Sequence, residues 1–332
     1  MLDAVIHPSI STGRLVGDIG GTNARFAWQT EAGAALSHIS TLRCAEFDSL
    51  ITAIRRYLSQ QALPAPHAFG LGIATPVAGD YVQMTNHHWS FSVANLKSEL
   101  GSDTAVVVND FVALASAIPA LTANDFVRLN EPEREPGAPA VVIGAGTGLG
   151  VASLVADGEG EYRAVPGEGG HVTLAATTDV EEQLIRELRK RFGHVSAERA
   201  LSGPGLVALY EAHCSLRDER PKPFTASEIS SNALGNRDMA CSEALTSFVS
   251  FFGSVCGNLA LTLGAFGGVY IGGGIVPKLG SQFNRTQFLD AFTQKGRFAN
   301  YLAAMPCFVI TCESPALIGA ARVLQQHISA DA

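Results

Sequence analysis

Two segments of this chain set bare glycine backbone beside a hydroxyl, a combination suited to holding an anion. Asp18 stands just before Gly20-Gly21-Thr22-Asn23, and Gly146-Thr147-Gly148 sits inside the run GAGTGLG, Gly144 to Gly150. Glycine leaves its N–H open and threonine adds a hydroxyl, which together suit phosphate oxygens. A carboxylate beside a phosphate needs a cation such as Mg²⁺ between them, and Asp18 is placed for that. Three further polar groups stand apart from these turns. Asn109-Asp110 closes the apolar run Thr104 to Val108, and open α/β sheets bind ligands at the carboxyl ends of their strands. Asp110 is equally suited to capping the helix that follows. Glu168 and His171 lie in Gly167-Glu168-Gly169-Gly170-His171, and Glu198 in Ser196-Ala197-Glu198-Arg199. Glu168 alone would be an ordinary solvated turn acid, and Glu198 an acid in the first turn of a helix. Together these amide, carboxylate and imidazole groups offer more acceptors than donors for hydroxyls, which suits a sugar better than a phosphate or a base.

The elements around these residues repeat. Arg14 to Asp18 and Ala24 to Gln29 read as the arms of a hairpin around the first glycine turn. His38 to Leu42 follows as a third strand. Phe47, Leu50, Ile51, Ile54, Tyr57 and Leu58 then recur at helical spacing, before a strand at Phe69 to Ala74. After Thr104 to Val108 a helix runs to Pro119. Residues 122–139 are polar and proline-rich, a boundary or surface connection. The order then begins again: strand Ala140 to Ile143, the GAGTGLG turn, strand Val151 to Val155, strand Tyr162 to Val165. A helix over Asp179 to Phe192 has Thr178 and Glu181 as a capping box and Gly193 beyond it. A strand and helix close the chain from Pro306 to Ile328, with Ser314 as N-cap and Pro315 in the first helical position. The shared order implies a structural duplication.

Composition narrows the chemistry. The 332 residues carry 23 basic and 31 acidic side chains, net −8, which argues against nucleic acid or an anionic membrane as partner. Charged residues are only 16%, while 34 glycines exceed the roughly 7% of average usage. The six cysteines include no Cys-x-x-Cys pair, so a reducing cytoplasm is expected. The opening MLDAVIHPSISTGR lacks the pattern of a signal peptide. Ala244 to Pro277 holds no charge and would pass a hydropathy window for a membrane span. Its polar Ser, Thr and Asn residues and its run into GGVYIGGG favour a buried helix feeding a buried strand. No Gly-Lys dipeptide exists, so the P-loop pattern fails. GAGTGLG has Leu149 where GxGxxG needs glycine and leads into a strand, which excludes a dinucleotide-binding turn.

GDIGGTNARFA (17–27), TNHHWSFS (85–92), VVNDFVALA (107–115), GAGTGLGVA (144–152), PGEGGHV (166–172), GHVSAERALSGPGL (193–206), GNLALTLGAFGGVYIGGGIVP (257–277) and KGRF (295–298) occur in this order. In combination they resemble the bacterial glucokinases of the proteobacterial type, from about Leu15 to Leu324. The resemblance implies the duplicated ribonuclease-H-like α/β fold of the actin and hexokinase superfamily. It implies a smaller domain of residues 1–120 plus 311–332, a larger one of 121–310, and ATP between them. Gly17, Asp18, Ile19, Gly20, Gly21, Thr22 and Asn23, with Gly146, Thr147 and Gly148, would hold the phosphates. Gly273 and Gly274 would lie near the adenosine. Asn109, Asp110, Glu168, His171 and Glu198 would hold glucose, with Asp110 as catalytic base. Mg²⁺ would be held mainly by the nucleotide, Asp18 reaching it through water. Such enzymes are cytoplasmic and typically homodimeric.

The residues after His171, VTLAATTDVEEQL, contain no cysteine. The structural zinc of the related repressor-and-kinase sugar kinases is therefore not expected. Only about 13 residues precede the first strand, too few for the DNA-binding module of that family's repressors. The expected reaction is phosphoryl transfer from ATP to the 6-hydroxyl of glucose. The alternatives are a kinase for another sugar and a non-catalytic sugar sensor of the same fold.

Overall fold

The computed structural model describes residues 12–158 and 160–331. The described residues divide into two compact units: one takes those up to Leu121 and from Glu313 onward, the other those from Thr122 to Cys312.

The first unit is built on strands β1 (Arg14–Ile19), β2 (Asn23–Gln29), β3 (Ser37–Arg43), β4 (Ala68–Ile73) and β7 (Thr104–Asn109). They lie in the order β3-β2-β1-β4-β7, antiparallel from β3 to β1 and parallel from β1 to β7. β4 (AFGLGI) is buried at every position, as a parallel strand covered on both faces must be. Helix α1 (Leu50–Gln60) starts at a capping box of Ser49 and Thr52. It turns Leu50, Ala53, Ile54, Tyr57 and Leu58 inward. Phe47 falls outside this helix; its carbonyl accepts from the indole of buried Trp89 at 2.9 Å. A two-stranded hairpin, β5 (Tyr81–Gln83) and β6 (Ser90–Ser92), carries the TNHHW segment. Helices α2 (Val93–Leu100) and α3 (Asp110–Ala117) flank β7.

The C-terminal helix Pro315–Asp331 returns to this unit along a seam of small residues. A Cβ added at Gly319 would lie 1.6 Å from the carbonyl oxygen of Ala113 in α3, and one at Gly70 of β4 would lie 2.6 Å from that of Ala320. Backbone therefore packs on backbone, and α3 is pinned between helix and sheet. Pro315 opens the helix as expected. Ser314 is not an ordinary N-cap: it stands at φ 57, in the left-handed region rather than the extended one caps adopt.

The second unit holds β8 (Phe126–Arg128), β9 (Ala140–Ala145), β10 (Leu149–Ala156), β11 (Tyr162–Gly167), β12 (Gly268–Gly273) and β13 (Cys307–Ile310), in the order β11-β10-β9-β12-β13-β8. From β11 to β13 it repeats the order and strand directions of the first sheet, the duplicated ribonuclease-H-like arrangement. The polar segment 122–139 is not connection alone. It contributes β8, an antiparallel edge strand on β13, because Phe126 can pack its ring, tilted, against Tyr270 and Phe308. Helix α4 (Asp179–Phe192) has the expected capping box of Thr178 and Glu181. Six more helices follow: α5 (Gly203–Leu216), α6 (Ala226–Leu234), α7 (Met239–Leu263), α8 (Val276–Leu279), α9 (Arg285–Thr293) and α10 (Ala299–Ala303). α7 is long and apolar enough to cross a membrane, but 67% of its most apolar window is buried. Phe248, Phe251 and Phe252 make it the core helix of this unit, packed on α5, α6 and α9.

Gly319→Ala should push the C-terminal helix off α3 and lower stability by about 2–3 kcal/mol, the usual cost of overpacking a seam. Urea unfolding reads it, and an unchanged midpoint would show that the seam tolerates a methyl group.

Candidate active site

The first unit gathers the turn Gly20–Asn23 and Asn109-Asp110 at the same edge of its sheet. The turn is closed by the Gly20 N–H donating to the Asn23 carbonyl at 2.9 Å, and it leaves Thr22 and Asn23 exposed. Gly17 and Ile19 point elsewhere. Ile19 is fully buried in the core and its carbonyl accepts from Ala74, while Gly17 packs against Leu71 and Phe26. Neither offers a side chain to a ligand. Asp18 pairs with Arg25 across the hairpin at 3.4 Å.

The cap of α3 is Asn109, not Asp110. The Asn109 Oδ1 accepts from the Phe111 N–H at 2.9 Å while its amide donates to the Thr75 carbonyl at 3.3 Å. Asp110 is the first helical residue and also accepts from Phe111, at 3.0 Å. Burial is the main reason its carboxyl is pushed up to about 6, with the negative charge of Asp18 adding to the rise and hydrogen bonds opposing it. Burial also raises Asp18, against the pull of Arg25. In register, Asp18 lies opposite Gly72, and Gly72 opposite Val108 at the end of β7. A Cβ at Gly72 would meet Ala113 at 2.8 Å and come within 3.6 Å of the Asp110 Cα. The glycine is what lets the first turn of α3 approach β4.

The second unit gathers Gly146–Gly148, Glu168, His171 and Glu198 around the start of β10. Gly170 lies so close to Leu149 that a Cβ there would fall 2.0 Å from the Leu149 carbonyl oxygen. Thr173 bridges to Ser196, and the Ala197 N–H donates to Val172 at 2.9 Å, which sets Glu198 beside the 168–171 turn. Glu198 Oε2 accepts from the Leu149 N–H at 2.9 Å. Glu168 and His171 stand 3.8 Å apart with side chains 60% and 59% exposed. Thr147 is exposed at the tip of the turn. Gly273, at φ 77, ends β12 and Gly274 follows it against the same turn, and both the Gly274 and Ile275 N–H groups donate to the Ala145 carbonyl.

Four participants escaped the sequence reading. Arg25 pairs with Asp18. The Thr75 carbonyl anchors Asn109, and the Thr75 hydroxyl meets that of Thr85 at 2.9 Å. The Asn86 backbone lies against Gly21, where an added Cβ would be 3.0 Å from its carbonyl oxygen. The Leu149 N–H is the fourth. The position of Thr75 just past a buried strand, at the ligand-binding edge of a sheet, was the available signal for it. Among the described residues no three His, Cys, Asp or Glu side chains converge as a metal cage.

The Glucokinase family model matches residues 15–327. The chain belongs to the glucokinase family. It is 51% identical over 319 residues to the glucokinase of Aromatoleum aromaticum, covering 96% of each chain. The crystal structure of a glucokinase from an Antarctic psychrotroph superposes with a TM-score of 0.85 at 37% identity, covering 95% of this chain and 99% of that one. A ROK-family glucokinase from Streptomyces griseus, solved with glucose and AMPPNP, shares the fold at a TM-score of 0.61 and 18% identity, covering 95% and 99%.

The raised carboxyl of Asp110 has a consequence for stability. Its folded value lies above the ordinary 3.8, so ionisation works against the fold: the cost is absent below about pH 4 and builds as pH rises through about 6. Asp110→Asn, which cannot ionise, should therefore be more stable than the parent above pH 7 by about 1–2 kcal/mol, allowing for partial solvent screening. Near pH 4 it should gain nothing. Thermal unfolding at both pH values tests this, and an equal gain at both would rule out the charge as its source.

Proposed function

We infer that this chain is an ATP-dependent glucokinase, transferring the γ-phosphoryl group of ATP to the 6-hydroxyl of glucose to give glucose 6-phosphate and ADP. The observation that carries the reading is Asp110: a half-buried carboxylate just past the carboxyl end of a parallel strand, with its pKa pushed up to about 6, in a chain related to glucokinases over nearly its whole length.

Phosphoryl transfer asks little covalent chemistry of a protein; it needs reactants in line and developing charge stabilised. Asp110 takes the proton of the sugar hydroxyl as that oxygen attacks the γ-phosphorus. A base with its pKa near 6 is mostly ionised at neutral pH and still accepts a proton readily. Asn109 fixes the direction of Asp110, because its own oxygen is committed to the Phe111 N–H and its amide to Thr75. The exposed Thr22, Asn23 and Thr147 offer donors to phosphate oxygens, and the glycines of each turn leave room for close approach, the Gly20 and Gly146 N–H groups being committed to closing their own turns. Gly273 and Gly274 stand toward the adenosine. Glu168, His171 and Glu198 hold the sugar hydroxyls, and an acid substrate would meet carboxylates there instead of basic groups. Two carboxylates raised chiefly by burial, Asp110 further by the charge of Asp18, with Arg25 as a partial counter-charge, fit a divalent cation carried in by the nucleotide. Asp18 would hold that Mg²⁺ through water, and the cation would neutralise phosphate charge. We further propose a cytoplasmic homodimer. The six free cysteines suit a reducing compartment, and the dimer rests on the family resemblance alone.

A coupled ATP-consumption assay across a panel of hexoses is expected to show glucose as the preferred acceptor. Asp110→Asn should lower turnover by about 10²–10⁴-fold, the usual worth of a positioned base, while glucose binding is partly kept. In the parent enzyme kcat/KM should fall about tenfold per pH unit below about 6, as Asp110 takes up its proton. Parental turnover in Asp110→Asn would reduce that residue to a helix-terminal acid.

A further inference from the structure

The turn Gly146–Gly148 is held from outside by two contacts. The Gly203 N–H donates to the Gly146 carbonyl at 2.8 Å, and Glu198 Oε2 accepts from the Leu149 N–H at 2.9 Å. Glu198 is itself fixed, since its carbonyl accepts from the Ser202 hydroxyl at 2.8 Å and Ser202 caps α5. The carboxylate sits so close to the turn that a Cβ at Gly148 would lie 2.5 Å from Oε2. Glycine at 148 thus does more than bare an N–H group: it leaves the space the glutamate occupies. The Glu168 carboxylate meets His171 instead.

We propose that Glu198 is a positioning residue for the nucleotide phosphates as well as an acid of the sugar site. One carboxylate oxygen orders the Gly146–Gly148 turn through Leu149, and the other remains for a sugar hydroxyl. The inference rests on the glucokinase reading for its second half only; the hold on the turn exists without sugar. It makes Glu198 the side chain through which occupancy of the sugar site and order in the phosphate turn are linked, and such a linkage acts equally in both directions. A charge-assisted hydrogen bond to a backbone N–H is among the stronger single contacts a loop can have, so its loss should be measurable in binding.

The test is nucleotide binding to the full-length protein without sugar, by calorimetry with AMPPNP and Mg²⁺, alongside amide hydrogen exchange over residues 146–149. Glu198→Ala and Glu198→Asp, which is one methylene short of the turn, should each weaken AMPPNP binding by about three- to tenfold and speed exchange at Leu149. Glu198→Gln keeps an oxygen able to accept from Leu149. It should restore nucleotide affinity while sugar affinity stays low, a rescue that a merely structural role would not produce. Glu168→Gln should weaken glucose binding and leave AMPPNP affinity at the parental value. Parental AMPPNP affinity and exchange in both Glu198→Ala and Glu198→Asp would overturn the proposal, as would an equal loss of AMPPNP affinity in Glu168→Gln. Failure of the parent protein to phosphorylate any hexose would sink the glucokinase reading instead, without touching the sugar-free measurement.

Discussion

Two carboxylates of one sign, Asp18 and Asp110, are kept partly out of water at the ends of two parallel strands with one strand between them, and much of the first unit can be understood as the means of keeping them there. Left alone, each would protonate or turn to solvent. Arg25 offsets part of the charge from across the hairpin. Asn109 takes over the capping of α3, so Asp110 is not consumed by that task. What remains is a raised pKa at both acids, caused first by burial and at Asp110 also by the charge of Asp18. A site that holds such tension relaxes when a cation or a proton arrives, and both are required where a hydroxyl attacks a phosphorylated nucleotide.

The proximity of these acids depends on side chains that are missing. Gly72 separates the two strands' acids by backbone alone, and Gly70 and Gly319 let the C-terminal helix clamp α3 from behind. That helix follows the whole of the second unit in the chain, so the contact is strongly non-local. Its small-residue seam offers little apolar area but great steric definition, because backbone cannot rearrange as a side chain can. The position of Asp110 is therefore set by packing some 200 residues away in sequence.

The repeated order of strands was legible because each apolar run was short, closed by a glycine turn, and followed by the same kind of neighbour. The same reading placed α4 from its capping box and took the uncharged run for a core helix. Single-residue roles were harder. Asn109 and Asp110 are adjacent, and composition cannot say which one turns back to cap; the decision rests with the Thr75 carbonyl, supplied by the segment just past β4. β8 was hidden because its three residues pair only once Phe308 and Tyr270 are in place to receive Phe126. Ile19 lies inside a glycine-rich motif, yet strand alternation sends it to the core. The bond of Glu198 to Leu149 joins residues 49 apart and has no local signature.

Duplication also shows where the two halves parted. Asp18 is the fifth residue of β1, pairing with Arg25 in the hairpin and with Gly72 on the parallel side. Gly144 is the fifth residue of β9, pairing with Gly150 and with Gly272 at the matching places. One unit thus carries an acid and its counter-ion where the other carries only glycine. The difference is enforced sterically, since a Cβ at Gly144 would lie 2.7 Å from the backbone of Gly272 and Gly273. An acid at a phosphate turn calls for a cation, whereas bare backbone presents N–H groups directly to an anion. Starting from one topology, the chain has made one turn suited to metal-bound phosphate and another suited to phosphate itself, and the second has then recruited Glu198 to supply the order that its glycines lack.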